Sequence, residues 1–453
     1  MHQPLSGARP QFPFTVRTRD VLAIAIPASL AFITEPLVGI SDIAVIGRLG
    51  DAGLLGGLVL GALAFDAIFS LAYFLRLGTA GLTAQAVGAR DANDGLVHVA
   101  RAILLAVVLG IAMIVLQVPL LWLAQLALAP PTTGVADALA TYFHVRIWSA
   151  PFSLVNFALL GWFYGRAAAK TGMMLQVLIH LVDIALSVWF VFGLGWGVFG
   201  AALGSVLGQV VSCALGLWLV QRHYGGLGPI RAALTRAELF DLAGLRRMLG
   251  LSRDLMIRSA ALILAYGWFA AQGSRAGEVT LSANAILMNF LMLSGFFLDG
   301  IGQAAEQLCG KAVGANWRPA FERAFTLSMR VGLVISVVIF ATFLLGGPLL
   351  IDLMTTNDEV RQAAHAFLIL AAFAAFTGMP PFVLDGILTG ATLNHTMRNG
   401  MVVAFAIYLA ALQVLQPLWG NAGLWIAMHV FFVARAVYYW LALERKKPTL
   451  FSG

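Results

Sequence analysis

The chain has 453 residues, of which 60% are hydrophobic and 11% are charged, and its formal net charge at pH 7 is +7. Soluble domains are typically about 45–50% apolar and about 25% charged. This composition therefore excludes a soluble enzyme, a nucleic-acid-binding domain and a disordered chain. A helix needs about 20 apolar residues to cross a bilayer, and the sequence predicts an all-α polytopic membrane protein.

Twelve apolar runs follow one another along the chain, and we interpret each as a transmembrane helix. They lie near residues 20–47, 54–87, 98–128, 136–164, 170–193, 198–221, 247–272, 280–312, 322–349, 360–390, 400–418 and 420–443. We predict two six-helix bundles, over 20–221 and 247–443. The remaining segments are predicted to be a cytoplasmic tail over 1–19, a cytoplasmic connector over 222–246 and a second tail over 444–453.

The distribution of basic residues predicts the orientation of these spans. With the N-terminus inside, the cytoplasmic segments hold 19 Lys and Arg residues, and the outside segments hold only Arg48, Arg275 and Arg361. Basic residues are concentrated in cytoplasmic loops of membrane proteins. Both termini are therefore predicted to be cytoplasmic, and the basic charge is assigned to topology rather than to nucleic acid.

Short sequence likenesses indicate an internal repeat. The string AVGA at 86–89 recurs at 312–315, an offset of 226 residues, and GWFYG at 161–165 corresponds to GILTG at 386–390, an offset of 225. Six spans per half make the two halves parallel, as in transporters that work by alternating access. Glycines at GxxxG spacing are assigned to close helix packing.

The first span carries acidic residues in an apolar setting. Glu35 and Asp42 are seven residues apart and lie on one helical face. Pro27 and Pro36 are predicted to bend this helix, because each removes a backbone hydrogen bond. A charge inside the membrane is expensive and usually functional, although Glu35 could also be a solvated residue near the outer interface.

Polar residues on the next spans complete a possible cation site in the first half. Asp183 and Ser187 are four residues apart on the fifth span, Asn156 lies on the fourth, and Ser205 lies on the sixth. This set could bind a proton or a sodium ion. The alternative is a buried polar cluster that only fixes helix packing.

The second half carries its own polar residues. At the repeat offset of 226 residues, the position that corresponds to Asp42 is Trp268, so the acids do not follow the repeat. Methionine and aromatic walls with a few acids suit bulky organic cations. The predicted substrate cavity contains Asn284, Met288, Met292, Asp299, Gln303 and Asp385. We expect some of six arginines in or near spans to pair with the acids: Arg76, Arg146, Arg253, Arg258, Arg330 and Arg435.

Longer strings resemble one family over nearly the whole chain. PLVGISDIAVIG at 36–47 resembles the PLxGxxDTAVIG signature of the MATE (multidrug and toxic compound extrusion) transporters, and most closely their DinF branch. The resemblance continues through 74–91, 146–162, 188–203, 253–259, 298–315 and 384–401.

This resemblance implies two six-helix bundles around a V-shaped cavity and export driven by inward proton or sodium flow. It also implies a cation-coupling network at Asp42, Asn156, Asp183, Ser187 and Ser205. Here the Asn position of the family is Asp183 and the Asp position is Ser187, so the carboxylate has moved by one helical turn.

We therefore predict a proton-coupled antiporter for organic cations, with sodium bound at Asp42 and Asp183 as the alternative. Asp42 is expected to take up the proton and, when ionised, to accept hydrogen bonds from Asn156 and Ser187. We expect no cofactor, small organic substrates, contact with membrane lipids, no nucleic acid, a monomer, and a bacterial inner membrane location.

Two rival functions stay open at this point. The first is a flippase of the same superfamily, moving a lipid-linked or amphipathic metabolite. The second is an intramembrane enzyme, which is disfavoured because the chain has no GxGD, GxSxG or HExxH motif.

Overall fold

A computed structural model describes residues 10–226 and 241–451, except for the side chains of residues 37, 38 and 242–249. The described residues are arranged as helices: α1 (Thr18–Gly47), α2 (Ala52–Ala72), α3 (Phe74–Gly88), α4 (Ala92–Val115), α5 (Gln117–Leu128), α6 (Thr133–Arg146), α7 (Ala150–Gly165), α8 (Ala169–Val188), α9 (Gly197–His223), α10 (Leu242–Arg275), α11 (Glu278–Gly314), α12 (Arg318–Met354), α13 (Asp358–Gly390) and α14 (Asn394–Leu450). The all-α prediction is confirmed. Most of the predicted connector lies outside the described residues, as do parts of both predicted tails.

Eleven helical stretches in the described part of the chain are long and apolar enough to cross a membrane. The last of them, α14, contains two predicted spans, 400–418 and 420–443, which meet at Gly420. The backbone of Gly420 is not helical, with φ 55° and ψ −129°. A positive φ is readily adopted only by glycine, so this residue permits the change of direction.

Three predicted spans are divided in the structure: 54–87 into α2 and α3, 98–128 into α4 and α5, and 136–164 into α6 and α7. The run over 98–128 was expected to be one helix, but α4 starts earlier, at Ala92, and ends at Val115, and α5 begins at Gln117. Pro119 lies in the first turn of α5, where its missing N–H removes no helical hydrogen bond. Proline at this position favours a new helix start over a continuous helix.

The predicted repeat is visible in how the glycines pack. A Cβ atom at Gly161 or Gly165 of α7 would collide with the carbonyl oxygens of Arg76 and Ala80 on α3. In the second half, a Cβ at Gly386 or Gly390 of α13 would collide with the carbonyl oxygens of Gly302 and Glu306 on α11. Equivalent helices therefore meet at paired glycines in both halves, and the assignment of these glycines to packing is confirmed.

Contacts between Cα atoms divide the chain into two compact units. Unit 1 comprises residues 1–29, 84–91 and 250–453, and unit 2 comprises 30–83 and 92–249. The core of unit 1 includes Phe269 and Trp425, whose rings meet edge to face with centroids 4.9 Å apart. The core of unit 2 includes Phe65 and Phe143. Each unit thus buries its own apolar cluster.

The segment 84–91 belongs to the first half of the repeat but packs in unit 1. Gln85 donates a hydrogen bond of 2.8 Å to the carbonyl oxygen of Gly390, at the end of α13. Gly88 lies against the backbone of Lys311, and Gly314 lies against the backbone of Gln85. The two AVGA strings are thus in reciprocal contact, with glycine at the points of closest approach.

Candidate functional site in unit 2

Asp183, on α8, is a buried and hydrogen-bonded acid of unit 2. Its side chain is 2% exposed. The hydroxyl of Ser205 on α9 lies 2.9 Å and 2.8 Å from its two carboxylate oxygens, and the hydroxyl of Ser187, one turn along α8, donates to it at 3.2 Å. Hydroxyl donors of this kind favour the charged form of a buried carboxylate.

Two glycines of α9 bring Ser205 to Asp183. A Cβ at Gly204 would collide with Ser187, and a Cβ at Gly208 would lie 2.8 Å from the carbonyl oxygen of Ile179. Glycine is therefore required for α9 to lie this close to α8. The GxxxG spacing of these glycines predicted close packing, and the structure adds that the packing assembles the acid site.

Asn156 of α7 makes different contacts from those expected. Its amide group donates to the backbone oxygen of Gln209 at 2.9 Å and to the side-chain oxygen of Gln209 at 2.8 Å. Ser187 donates to Asp183 and to the carbonyl oxygen of Ala201. The prediction that Asn156 and Ser187 bond to Asp42 is wrong, because Asn156 bonds to α9 and Ser187 bonds to Asp183 of its own helix and to α9.

Asp42 lies in the last turns of α1 and is 6% exposed. Its Oδ1 atom is buried and accepts no hydrogen bond from the part of the chain that the structure describes. Asp183 and Arg146 both interact electrostatically with this carboxylate. Asp42 and Asp183 therefore form one electrostatic cluster, although they share no hydrogen bond.

Arg146 is the member of this cluster that the sequence left unassigned. It is the last residue of α6, and its guanidinium also interacts with Asp183, with Asp66 and with His180. In the sequence it is one of six arginines near spans, and nothing in its neighbours distinguishes it from the others. Only the packing of α6 brings it to the two acids.

Glu35 differs from Asp42 in its surroundings. Its side chain is exposed on α1, and Arg76 of α3 interacts with it electrostatically. The Arg76 guanidinium is buried against the ring of Phe32, 4.3 Å from its centroid, and hydrogen-bonds to Tyr73. α1 is helical through both Pro27 and Pro36, so their bending role stays a prediction.

The acid of the predicted substrate cavity on α13, Asp385, is paired in unit 1. It lies 3.2 Å from Arg258 of α10 and 2.6 Å from Arg435 of α14. Arg435 is 1% exposed and Asp385 is 15% exposed. The expectation that some arginines pair with the acids is thus confirmed for Arg258 and Arg435.

The other predicted cavity residues lie along α11 in different environments. Asn284 is buried and accepts a hydrogen bond from Trp425 at 3.0 Å. Gln303 is buried and donates to Glu306 at 2.9 Å. Met288 and Met292 pack against the core of unit 1, and Asp299 is exposed. A common cavity lined by these residues stays a prediction.

Within residues 10–226 and 241–451, no three His, Cys, Asp or Glu side chains cluster in a way that could hold a metal ion. The oxygens of the Asp42–Asp183 cluster come from two acids and two serines. The chemistry that this arrangement offers is the exchange of a small cation at a buried carboxylate.

Comparison with known proteins gives a consistent family assignment. The MatE family model matches residues 27–189 and 263–415. The DNA damage-inducible protein F of Escherichia coli is 34% identical over 414 residues, covering 91% of this chain and 89% of the relative. The probable multidrug resistance protein NorM of Bradyrhizobium diazoefficiens is 26% identical, covering 89% of this chain and 86% of that protein.

The fold agrees with these relatives. A solved structure of a MOP superfamily transporter from Pyrococcus furiosus superposes with a TM-score of 0.84 at 18% sequence identity, over 97% of this chain and 99% of that one. The family model and the sequence relatives identify a transporter, and the fold agrees with them. The intramembrane enzyme is therefore excluded. The chain belongs to the MatE family, as a multi-pass MATE transporter of the DinF-like branch.

Proposed function

We propose that this transporter exports small organic, amphipathic cations in exchange for protons that enter through Asp42. One observation carries the proposal: Asp42 is a buried carboxylate with an unsatisfied oxygen, next to a second buried carboxylate, Asp183. The substrate class is supported by the relatives, one of which is named a multidrug resistance protein.

The two acids have different roles in this proposal. Asp183 keeps its hydrogen bonds to Ser187 and Ser205, so its carboxylate is solvated by the protein. Asp42 has a buried oxygen that no described donor reaches. A proton bound by Asp42 removes its charge and its repulsion with Asp183, a repulsion that is strong at low dielectric constant.

Loss of this charge changes the forces that hold α1. The helix carries Asp42 together with Pro27 and Pro36, and prolines lower the cost of bending it. We infer that α1 repacks when Asp42 is neutral and that this repacking expels the substrate. One inward proton supplies about 2.3 kcal/mol per 100 mV of membrane potential.

The test is transport in proteoliposomes with an imposed proton gradient. Asp42→Asn removes the titrating group and keeps its shape, so we expect proton-driven transport of an organic cation such as ethidium to fall to background. Asp137→Asn is the matched control, because Asp137 is an exposed acid of the same unit. Undiminished transport by Asp42→Asn would contradict the assignment of the proton site.

The same vesicles distinguish the alternatives. Transport that follows a sodium gradient, with the proton gradient abolished by an ionophore, would support sodium at Asp42 and Asp183. Movement of a labelled lipid between leaflets without substrate accumulation would support a flippase. We expect neither, and we expect the protein to work in a bacterial inner membrane with both termini in the cytoplasm.

A further inference from the structure

Arg146 interacts with several acidic groups at once. Its guanidinium interacts electrostatically with Asp42 of α1, Asp66 of α2 and Asp183 of α8. All of these residues belong to unit 2. Tyr142 of α6 and His180 of α8 also interact electrostatically with it.

The hydrogen bonds of this arginine are incomplete. Its Nε and Nη1 atoms are buried, and neither meets an acceptor among the residues that the structure describes. Oδ1 of Asp42 is likewise buried and accepts no hydrogen bond from a described donor. Burying unpaired polar groups is costly. A hydrogen bond from the Arg146 guanidinium to the ionised Asp42 carboxylate would remove this cost on both sides.

The charge of the guanidinium bears on which ions can enter. Arginine stays protonated in proteins, so the cluster already contains one permanent cation. A sodium ion would require several oxygen ligands, as hard cations do. The hydroxyls of Ser187 and Ser205 already donate to the Asp183 carboxylate, so sodium would have to compete with these hydrogen bonds. The positive charge of Arg146 would also repel it.

We infer that Arg146 is a built-in counter-cation of Asp42 and Asp183, which excludes sodium from the cluster and makes the proton the coupling ion. Arg146 is thus a specificity-determining residue. It pairs with the ionised carboxylate of Asp42 after the proton leaves, and it is displaced when the proton returns. This inference rests on the proposed antiport function, because it assigns the ion of the same site.

A binding measurement tests this inference without transport. The Tm of the purified protein in detergent is measured in NaCl and in choline chloride of equal ionic strength. An ion that binds only the folded state raises the Tm, so sodium binding would appear as a higher Tm in NaCl. We expect no sodium-specific rise for the unsubstituted protein. Arg146→Gln removes the charge, and we expect NaCl to raise its Tm, more at pH 8 than at pH 5.

Three further variants complete the design. Arg146→Lys keeps the positive charge and should respond like the unsubstituted protein. Arg48→Gln is the matched control, because Arg48 is an exposed arginine of the same unit. Asp42→Asn combined with Arg146→Gln should lose the sodium response, because a carboxylate ligand is gone.

Two results would overturn the inference. One is a sodium-specific Tm rise in the unsubstituted protein equal to that of Arg146→Gln, and the other is the absence of any rise in a folded Arg146→Gln protein. Neither result depends on the substrate. Failure of the antiport proposal appears separately, as undiminished transport by Asp42→Asn.

Discussion

At the scale of single residues, Asp183 illustrates how a carboxylate is tolerated deep inside an apolar protein. Two hydroxyls, from Ser187 on its own helix and Ser205 on the next, donate to its oxygens. A buried charge without such donors costs several kcal/mol. Ser187 lies one helical turn after Asp183, and this spacing places its hydroxyl within hydrogen-bond distance of the carboxylate.

Replacement of Ser205 by alanine tests this arrangement. Ser205→Ala removes the donor with the shortest distances to Asp183, and we expect the free energy of unfolding to fall by about 1–3 kcal/mol. Proton-driven transport should fall as well, because Asp183 then holds its charge less well. Denaturant unfolding in detergent and proteoliposome transport are the measurements.

The control for this substitution lies two turns along the same helix. Ser212 donates a long bond of 3.4 Å to the carbonyl oxygen of Leu175 and contacts no carboxylate. Ser212→Ala should therefore lower stability less and leave transport unchanged. Equal effects of the two substitutions would mean that Ser205 acts through helix packing and not through Asp183.

At the scale of elements, close helix contacts are the means by which polar groups meet. The approach of α9 to α8 at Gly204 and Gly208 brings a hydroxyl to an acid. The approach of α13 to α11 at Gly386 and Gly390 repeats the contact of α7 with α3. Where two helices are this close, van der Waals packing holds them together within a membrane.

Two glycines on α13, Gly386 and Gly378, allow the effect of close packing to be distinguished from the effect of helix propensity. Gly386 lies against the backbone of Gly302, whereas the nearest atoms to a Cβ at Gly378 are at 3.6 Å or more, an ordinary contact distance. We expect Gly386→Ala to destabilise the protein by about 1–3 kcal/mol through overpacking. Gly378→Ala should be neutral or stabilising by up to about 1 kcal/mol.

Thermal unfolding of the two variants is the measurement, with helix content from circular dichroism as the check on folding. A loss of stability in both would indicate that α13 is sensitive to any added methyl group. A loss in neither would mean that α11 and α13 can move apart at no cost, against the contact at Gly302.

At the scale of the whole molecule, the chain forms two units whose boundaries cross the halves of the repeat. Residues 84–91 lie in the first half of the sequence but are held in unit 1 by Gln85 and by the glycines of the two AVGA strings. Helix α1 begins in unit 1 and continues into unit 2 at residue 30. The helix proposed to repack thus belongs to both units.

The orientation of the molecule in its membrane follows from the basic residues. We predict that both termini are cytoplasmic, because 19 Lys and Arg residues fall in the inside segments and three fall outside. A C-terminal green fluorescent protein should fluoresce in cells, and a C-terminal alkaline phosphatase should be inactive. The reverse pair of results would invert the predicted topology.

The sequence by itself determined the class of protein, the apolar runs that form its helices, the repeat and the family. These depend on hydropathy, on glycine spacing and on strings such as PLVGISDIAVIG. All three are local features of the sequence and require no knowledge of tertiary contacts. The sequence also singled out Asp42 and Asp183, since a charge in an apolar run needs a reason, but it passed over Asp66 of the second span, which interacts with Arg146 in the structure.

Only the tertiary structure decided the partners. Asn156 bonds to Gln209, Asp385 pairs with Arg258 and Arg435, and Arg146 faces two acids from separate helices. The members of the Asp385 pairs are 127 and 50 residues apart in the chain. Which charged groups meet depends on which helix faces pack together, and that choice is made by the whole set of interhelical contacts and not by local sequence.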